Sequence, residues 1–242
     1  SSVQFWDGRA ATLEDQAKGP VTNPIEMGMS ELEEAMNRVR DIPGYRPYFE
    51  KAFGGNDPMT VDNAAKAVAA FERSLITPNS PYDRYVKGDE GAMSKQQVRG
   101  MATFAEIGCT GCHSGPAFNG PALDAGTGFY LKFPTFSDND YARNYKFTDD
   151  GGRSEVTGKE ADRLFWKVPT LRNIEATAPY FHNGSVKTLP EAVKVMAKTQ
   201  LNLDLTAQQT ADITAFLSAL TGVFPEQPMP RLPLTSGRTI VQ

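Results

Sequence analysis

Both cysteines of this 242-residue chain and one of its two histidines fall within five consecutive residues, Cys109-Thr110-Gly111-Cys112-His113. Two thiols at this spacing can bond to one planar group or one ion, and a histidine directly after the second can coordinate a metal beside them. C-x-x-C-H is the attachment spacing of a c-type haem: the thiols add to the haem vinyl groups and the histidine becomes the proximal iron ligand. Two other chemistries use the same thiols. A thioredoxin-like redox pair belongs at the mouth of a βαβ unit, and no strand–helix alternation surrounds this motif. A four-ligand zinc site needs further Cys or His, and only His182 remains.

The second axial position on such an iron separates electron transfer from substrate chemistry, and methionine and histidine are its usual occupants. The candidates are eight methionines and His182. Met93 and Met101 lie too close before the motif to reach the opposite haem face. Met27, Met29, Met36 and Met59 sit in the first part of the chain, and Met229 in a Pro-flanked tail. Met196 falls on a short helix with its own start signal, Thr188-Leu189-Pro190-Glu191, which reads as a capping box with proline in the first turn. It reads equally as a core methionine beside Val193 and Val195. His182, in the turn-like Ala178-Pro179-Tyr180-Phe181-His182-Asn183-Gly184-Ser185, reads as a ligand or as a buried, hydrogen-bonded histidine.

The elements that must position these residues are mainly helical. Thr12 caps a helix expected to stop at Gly19-Pro20, and Ser30 to Arg40 carries Leu32, Ala35, Met36 and Val39 on one face. A third helix follows Pro43-Gly44 and ends at Gly54-Gly55, and a fourth runs from Thr60 through Ile76. Pro78-Asn79-Ser80-Pro81 breaks the chain, so the expected domains are residues 1–77 and 78–242. In the second, Ser94 opens a helix that runs into Cys109, and Thr206 to Leu220 forms another able to cross it. Between them Ser114 to Phe181 is irregular, a length that needs something to wrap around, and a haem offers an apolar surface.

Composition is that of an ordinary globular chain: 40% hydrophobic, 22% charged, net charge −4. There is no apolar run of transmembrane length and no basic stripe to suggest nucleic acid. No signal peptide is legible, but haem c is attached after export, so the expected compartment is the periplasm.

Further motifs surround the C-x-x-C-H. They are Phe5-Trp6-Asp7-Gly8-Arg9-Ala10, Asn23-Pro24-Ile25-Glu26-Met27-Gly28, Val168-Pro169-Thr170-Leu171-Arg172-Asn173, and the Ala178–Gly184 stretch. In this order they resemble the bacterial di-haem cytochrome c peroxidases over nearly the whole chain, up to about Gly222. The resemblance implies two cytochrome c-like, mainly α domains and reduction of hydrogen peroxide to water. It implies electrons from a small c-type cytochrome or blue-copper protein, and a homodimer is compatible with it. The methionine fourteen residues beyond the Tyr-Phe-His motif, here Met196, is by that resemblance the distal ligand of the second haem. Tyrosine is expected there in the cofactor-maturing relatives. Glu26 is implied as the proton shuttle at peroxide, Gln16 as its assistant, and Trp6 as the bridge between haems. Calcium is implied on the backbone carbonyls of Thr177 and Pro179. The family's first C-x-x-C-H and distal histidine have no counterpart here. The first domain is therefore expected to be incomplete at its N-terminus, part of a longer protein with a second haem. The alternative is a mono-haem electron-transfer cytochrome without catalysis.

Overall fold

In the computed structural model, which describes residues 3–227 and 231–233, the chain divides into two units. Among the described residues, one joins 3–9 to 77–224, and the other joins 10–76 to 225–227 and 231–233. Met229 lies outside the described residues.

Among its described residues the smaller unit holds four α-helices and one 3-10 turn, Pro43–Tyr45. α1 (Leu13–Thr22) begins where Thr12 Oγ1 accepts from the Asp15 N–H at 3.0 Å. It runs past the expected stop, with Pro20 inside its last turn. The following turn folds back instead, and the N–H groups of Met27 and Met29 donate to the Pro20 and Val21 carbonyls, satisfying acceptors that a helix end leaves open. α2 (Leu32–Arg40) and α3 (Arg46–Phe53) come next. α4 (Val61–Ser74) is capped by Thr60 Oγ1, which accepts from the Asn63 N–H. Two ion pairs join α1 to α4, Glu14 with Arg73 at 2.8 Å and Lys18 with Asp62 at 2.7 Å. The Arg73 and Asp62 ends are exposed, so the small core of Met36, Met59, Ala65 and Ala69 contributes more.

In the larger unit the expected chain break holds a helix of its own, α5 (Pro81–Val86), started by a Ser80/Asp83 capping box. α6 (Lys95–Glu106) starts on a second capping box, Ser94 with Gln97, and leads directly to the C-x-x-C-H. The irregular middle contains β1 (Tyr130–Lys132), α7 (Asp140–Asn144), α8 (Arg153–Thr157) and β2 (Phe165–Lys167). β1 and β2 pair antiparallel with Leu131 opposite Trp166. α9 (Leu189–Leu201) follows. The capping box expected at its start is not formed: Thr188 makes no side-chain cap bond. The Glu191 carboxylate instead accepts from Tyr145 Oη and Lys194, each at 3.2 Å. α10 (Ala207–Ser218) starts on a true box, Thr206 with Gln209. It crosses α6 at Gly100, where a side-chain carbon would meet the Asp212 carbonyl oxygen at 1.8 Å. Only glycine permits that approach.

The unit boundary falls between Ile76 and Thr77, and residues 3–9 belong with the larger unit. The expected division placed them with the first domain. They join the larger unit because the Lys167 N–H donates to the Trp6 carbonyl at 2.8 Å and Arg153 Nη1 donates to that of Asp7 at 3.1 Å, while Val3 is buried. Among the described residues no helix is long and apolar enough to cross a membrane.

Candidate functional site

α6 ends at Glu106 with Ile107 as its C-cap, Gly108 turns left-handed at φ 96°, and Cys109–Gly111 form a single 3-10 turn. That turn places His113 back over Cys109, with its N–H donating to the Cys109 carbonyl at 2.9 Å. The imidazole is buried, and its Nδ1 lies 3.0 Å from the Phe118 carbonyl oxygen. A carbonyl only accepts, so Nδ1 carries the proton and Nε2 the lone pair. Burial lowers the His113 pKa against the opposing pull of the Phe118 and Pro169 carbonyls, which favours the neutral ring that ligates metals.

Both cysteines are free thiols. Burial pushes the Cys109 thiol up to about 12 and raises Cys112 as well. A dithiol exchange pair needs a depressed thiol pKa, so these residues do not fit that chemistry. Nor, among the described residues, do three or more His, Cys, Asp or Glu gather as metal ligands, as a zinc site would require.

Cys109, Cys112 and His113 open onto a largely apolar cavity that Met196 of α9 also lines. It holds about 1220 Å³ free of protein atoms, its solvent-facing mouth included. Trp6 lines it too, 39% exposed. His182 also lines it, stacked on Trp166 with ring centroids 4.0 Å apart. Of the two readings of His182, the hydrogen-bonded one is not met at Nε2: among the described residues that buried atom has no hydrogen-bond partner. Burial lowers its pKa. Two thiols, an imidazole lone pair and a thioether around apolar walls fit haem c, and an orphaned polar atom in the wall fits a site completed by a bound group.

Glu26 and Gln16 belong to the smaller unit. Glu26 is exposed in the turn after α1, its Oε1 accepting from Asn23 Nδ2 at 2.9 Å. Gln16 is half-buried on α1. Thr177 and Pro179 lie exposed just after the 3-10 turn Ile174–Ala176. The sequence reading missed Lys167, which lines the cavity with its pKa lowered by burial. It also missed Phe133 and Trp166 as walls. The signal was present in Phe165-Trp166-Lys167, a short strand directly before a motif already singled out.

A family profile described as di-haem cytochrome c peroxidase matches residues 1–91, and one described as RoxA-like, cytochrome c-like matches residues 166–200. The chain is 42% identical to cytochrome c551 peroxidase of Nitrosomonas europaea, over 98% of this chain and 67% of that protein. It is 40% identical to cytochrome c peroxidase Ccp of Escherichia coli, over 91% of this chain and 45% of that one. Against methylamine utilization protein MauG of Methylorubrum extorquens identity is 31%, over 94% and 63%. The chain thus spans about half to two thirds of these relatives. A crystal structure of a MauG-like protein associated with microbial copper homeostasis superposes with a TM-score of 0.76 at 28% identity, covering 91% of this chain and 72% of that one.

Proposed function

Because this chain belongs to the di-haem cytochrome c peroxidase family, we propose that it supplies the electron-receiving haem domain, and part of the peroxide pocket, of an enzyme reducing hydrogen peroxide to water. The observation that carries this reading is the one apolar cavity lined by Cys109, Cys112, His113 and Met196. Family membership implies haem c; here Cys109 and Cys112 would tether it, and His113 and Met196 would hold its iron. When bound, such a haem stores one electron at a potential that thioether ligation raises.

The chain's own residues do the rest. The Phe118 carbonyl keeps the His113 Nδ1 proton in place, so that Nε2 faces the cavity as a lone pair. The apolar walls exclude water, and Trp6 at the cavity carries electrons onward. In the smaller unit Glu26 takes a proton from one peroxide oxygen and returns it to the leaving one, with Gln16 orienting the substrate. Overall, one peroxide, two electrons and two protons give two waters. The electrons come singly from a small c-type cytochrome or blue-copper protein in the periplasm. A second haem, a homodimer and calcium on the Thr177 and Pro179 carbonyls complete the proposal, since a hard cation suits carbonyl ligands.

The test uses the protein carrying this sequence, matured with haem-attachment machinery and assayed for peroxide reduction with a reduced cytochrome donor. Turnover that disappears in Cys109→Ala/Cys112→Ala is the expected result. Donor oxidation without peroxide turnover would instead favour the mono-haem electron carrier. The relatives named for methylamine utilization favour a second reading, a cofactor-maturing enzyme. Methionine rather than tyrosine at 196 weighs against it.

A further inference from the structure

Three consecutive carbonyls after the haem motif are each held by a different side chain. Arg172 Nε donates to the Pro116 oxygen at 2.9 Å, Thr170 Oγ1 to that of Ala117 at 2.6 Å, and His113 Nδ1 lies 3.0 Å from that of Phe118. Arg172 is itself fixed. Its Nη1 and Nη2 reach the two Asp83 carboxylate oxygens at 2.8 and 2.7 Å, and Nη1 also reaches Ser80 Oγ at 3.1 Å. Asp83 and Ser80 are the capping box of α5. The Arg172 N–H donates back to Thr170 Oγ1 at 3.1 Å, which joins the two grips.

Phe118, the residue so aimed, has a left-handed backbone with φ 52° and is not glycine. Such a conformation persists only where its surroundings over-determine it. Here they do: the ring is buried edge-on against Tyr82, Phe104 and Phe216, and the two preceding carbonyls are pinned. The Phe118 carbonyl is the partner of the imidazole Nδ1, at 3.0 Å, and the Pro169 carbonyl also pulls on the ring. In ligand sets of this kind the group accepting the second ring proton fixes the tautomer and makes the other nitrogen more basic.

We infer that Thr170 and Arg172 are positioning residues for His113, a clamp from α5 through the 116–118 loop that sets the reduction equilibrium of the iron bound there. This rests on the haem reading above. A firm Nδ1–H···O bond makes Nε2 a stronger donor and favours ferric iron, so loosening the clamp raises the midpoint potential.

The test is spectroelectrochemical titration of the haem-loaded protein. Thr170 is exposed, and Thr170→Val keeps its shape while removing the hydroxyl, so folding and haem attachment should be retained. The ferrous-to-ferric ratio at a fixed potential should rise about threefold, or about 28 mV at 59 mV per tenfold for one electron. Thr170→Ser should restore the wild-type midpoint. Arg172→Lys, which keeps the charge and loses the planar fork, should shift it further. Faster solvent exchange of the His113 Nδ1 proton in Thr170→Val, followed by NMR, should accompany the change. An unchanged midpoint in Thr170→Val, or an equal shift in Thr170→Ser, overturns the clamp alone. Failure of the wild type to add the mass of a haem overturns the underlying haem reading, and the clamp with it.

Discussion

Replacing Gly100 with alanine sets two effects of opposite sign against each other. Within α6 alone, Ala in place of Gly stabilises by about 1 kcal/mol. In the folded protein the added carbon would lie 1.8 Å from the Asp212 carbonyl oxygen, 2.5 Å from its carbon and 2.9 Å from Phe216 Cβ. Two of these three obstacles are α10 backbone, which no rotamer change can move. The helices must separate, and α10 carries Ile213, Phe216 and Leu217 out of the core with it. Phe216, 1% exposed, packs against Tyr82, Phe104 and Phe118. Overpacking costs roughly 1–3 kcal/mol even where side chains can yield, so a contact with backbone belongs at or above the top of that range. After the propensity gain we expect a net loss of about 2 kcal/mol, or about 4–8 °C in Tm for a chain of this size. Because α6 leads directly into Cys109, haem attachment should fall as well. Thermal unfolding followed by circular dichroism reads the first effect and intact mass the second. A Tm equal to or above the wild type would mean that propensity wins and that the two helices do not meet at Gly100.

Three further predictions test other parts of the site. The Arg172 guanidinium, aided by Ser80, holds the Asp83 carboxyl below the usual carboxylate range. The stability this adds is therefore complete above the unfolded pKa of about 3.9 and is lost as pH falls through the folded value. Asp83→Asn should remove about 1–3 kcal/mol at neutral pH and flatten the acid limb of a urea-unfolding series, and a wild-type limb in that variant would show the pair to be idle. Met196→His should lower the reduction midpoint, because imidazole stabilises ferric iron more than a thioether does; an unmoved midpoint removes Met196 from the iron. Glu26→Gln should slow peroxide turnover by about 10²–10⁴-fold while reduction by the donor keeps its rate, and the reverse pattern would place Glu26 on the electron-entry path.

What could be read from the sequence follows from the range of the interactions involved. The starts of α1, α4, α6 and α10 were legible because Thr12, Thr60, Ser94 and Thr206 each close a hydrogen bond within three residues. Thr188 carried the same local signal and failed, since Glu191 found a better partner in Tyr145, distant in sequence. α5 was hidden inside a Pro-flanked break whose proline sits in the first turn, where a helix tolerates it. β1 and β2 are three residues each and have no periodicity to detect. Cys109, Cys112 and His113 were visible from spacing alone. Met196 needed the resemblance to separate it from a core methionine, and the cavity then brought it to the same walls. The Arg172–Asp83 link and the stacking of His182 on Trp166 join residues far apart in the chain, and no local pattern announces either.

The central claim is that Cys109 and Cys112 would tether a haem whose iron His113 and Met196 would hold. Near-infrared magnetic circular dichroism of the ferric, haem-loaded protein tests it most directly, because the charge-transfer band reports the axial pair. The account predicts a histidine–methionine band in the wild type that is lost in Met196→Ala. A bis-histidine band that vanishes in His182→Ala, or a histidine–methionine band that survives in Met196→Ala, would contradict it.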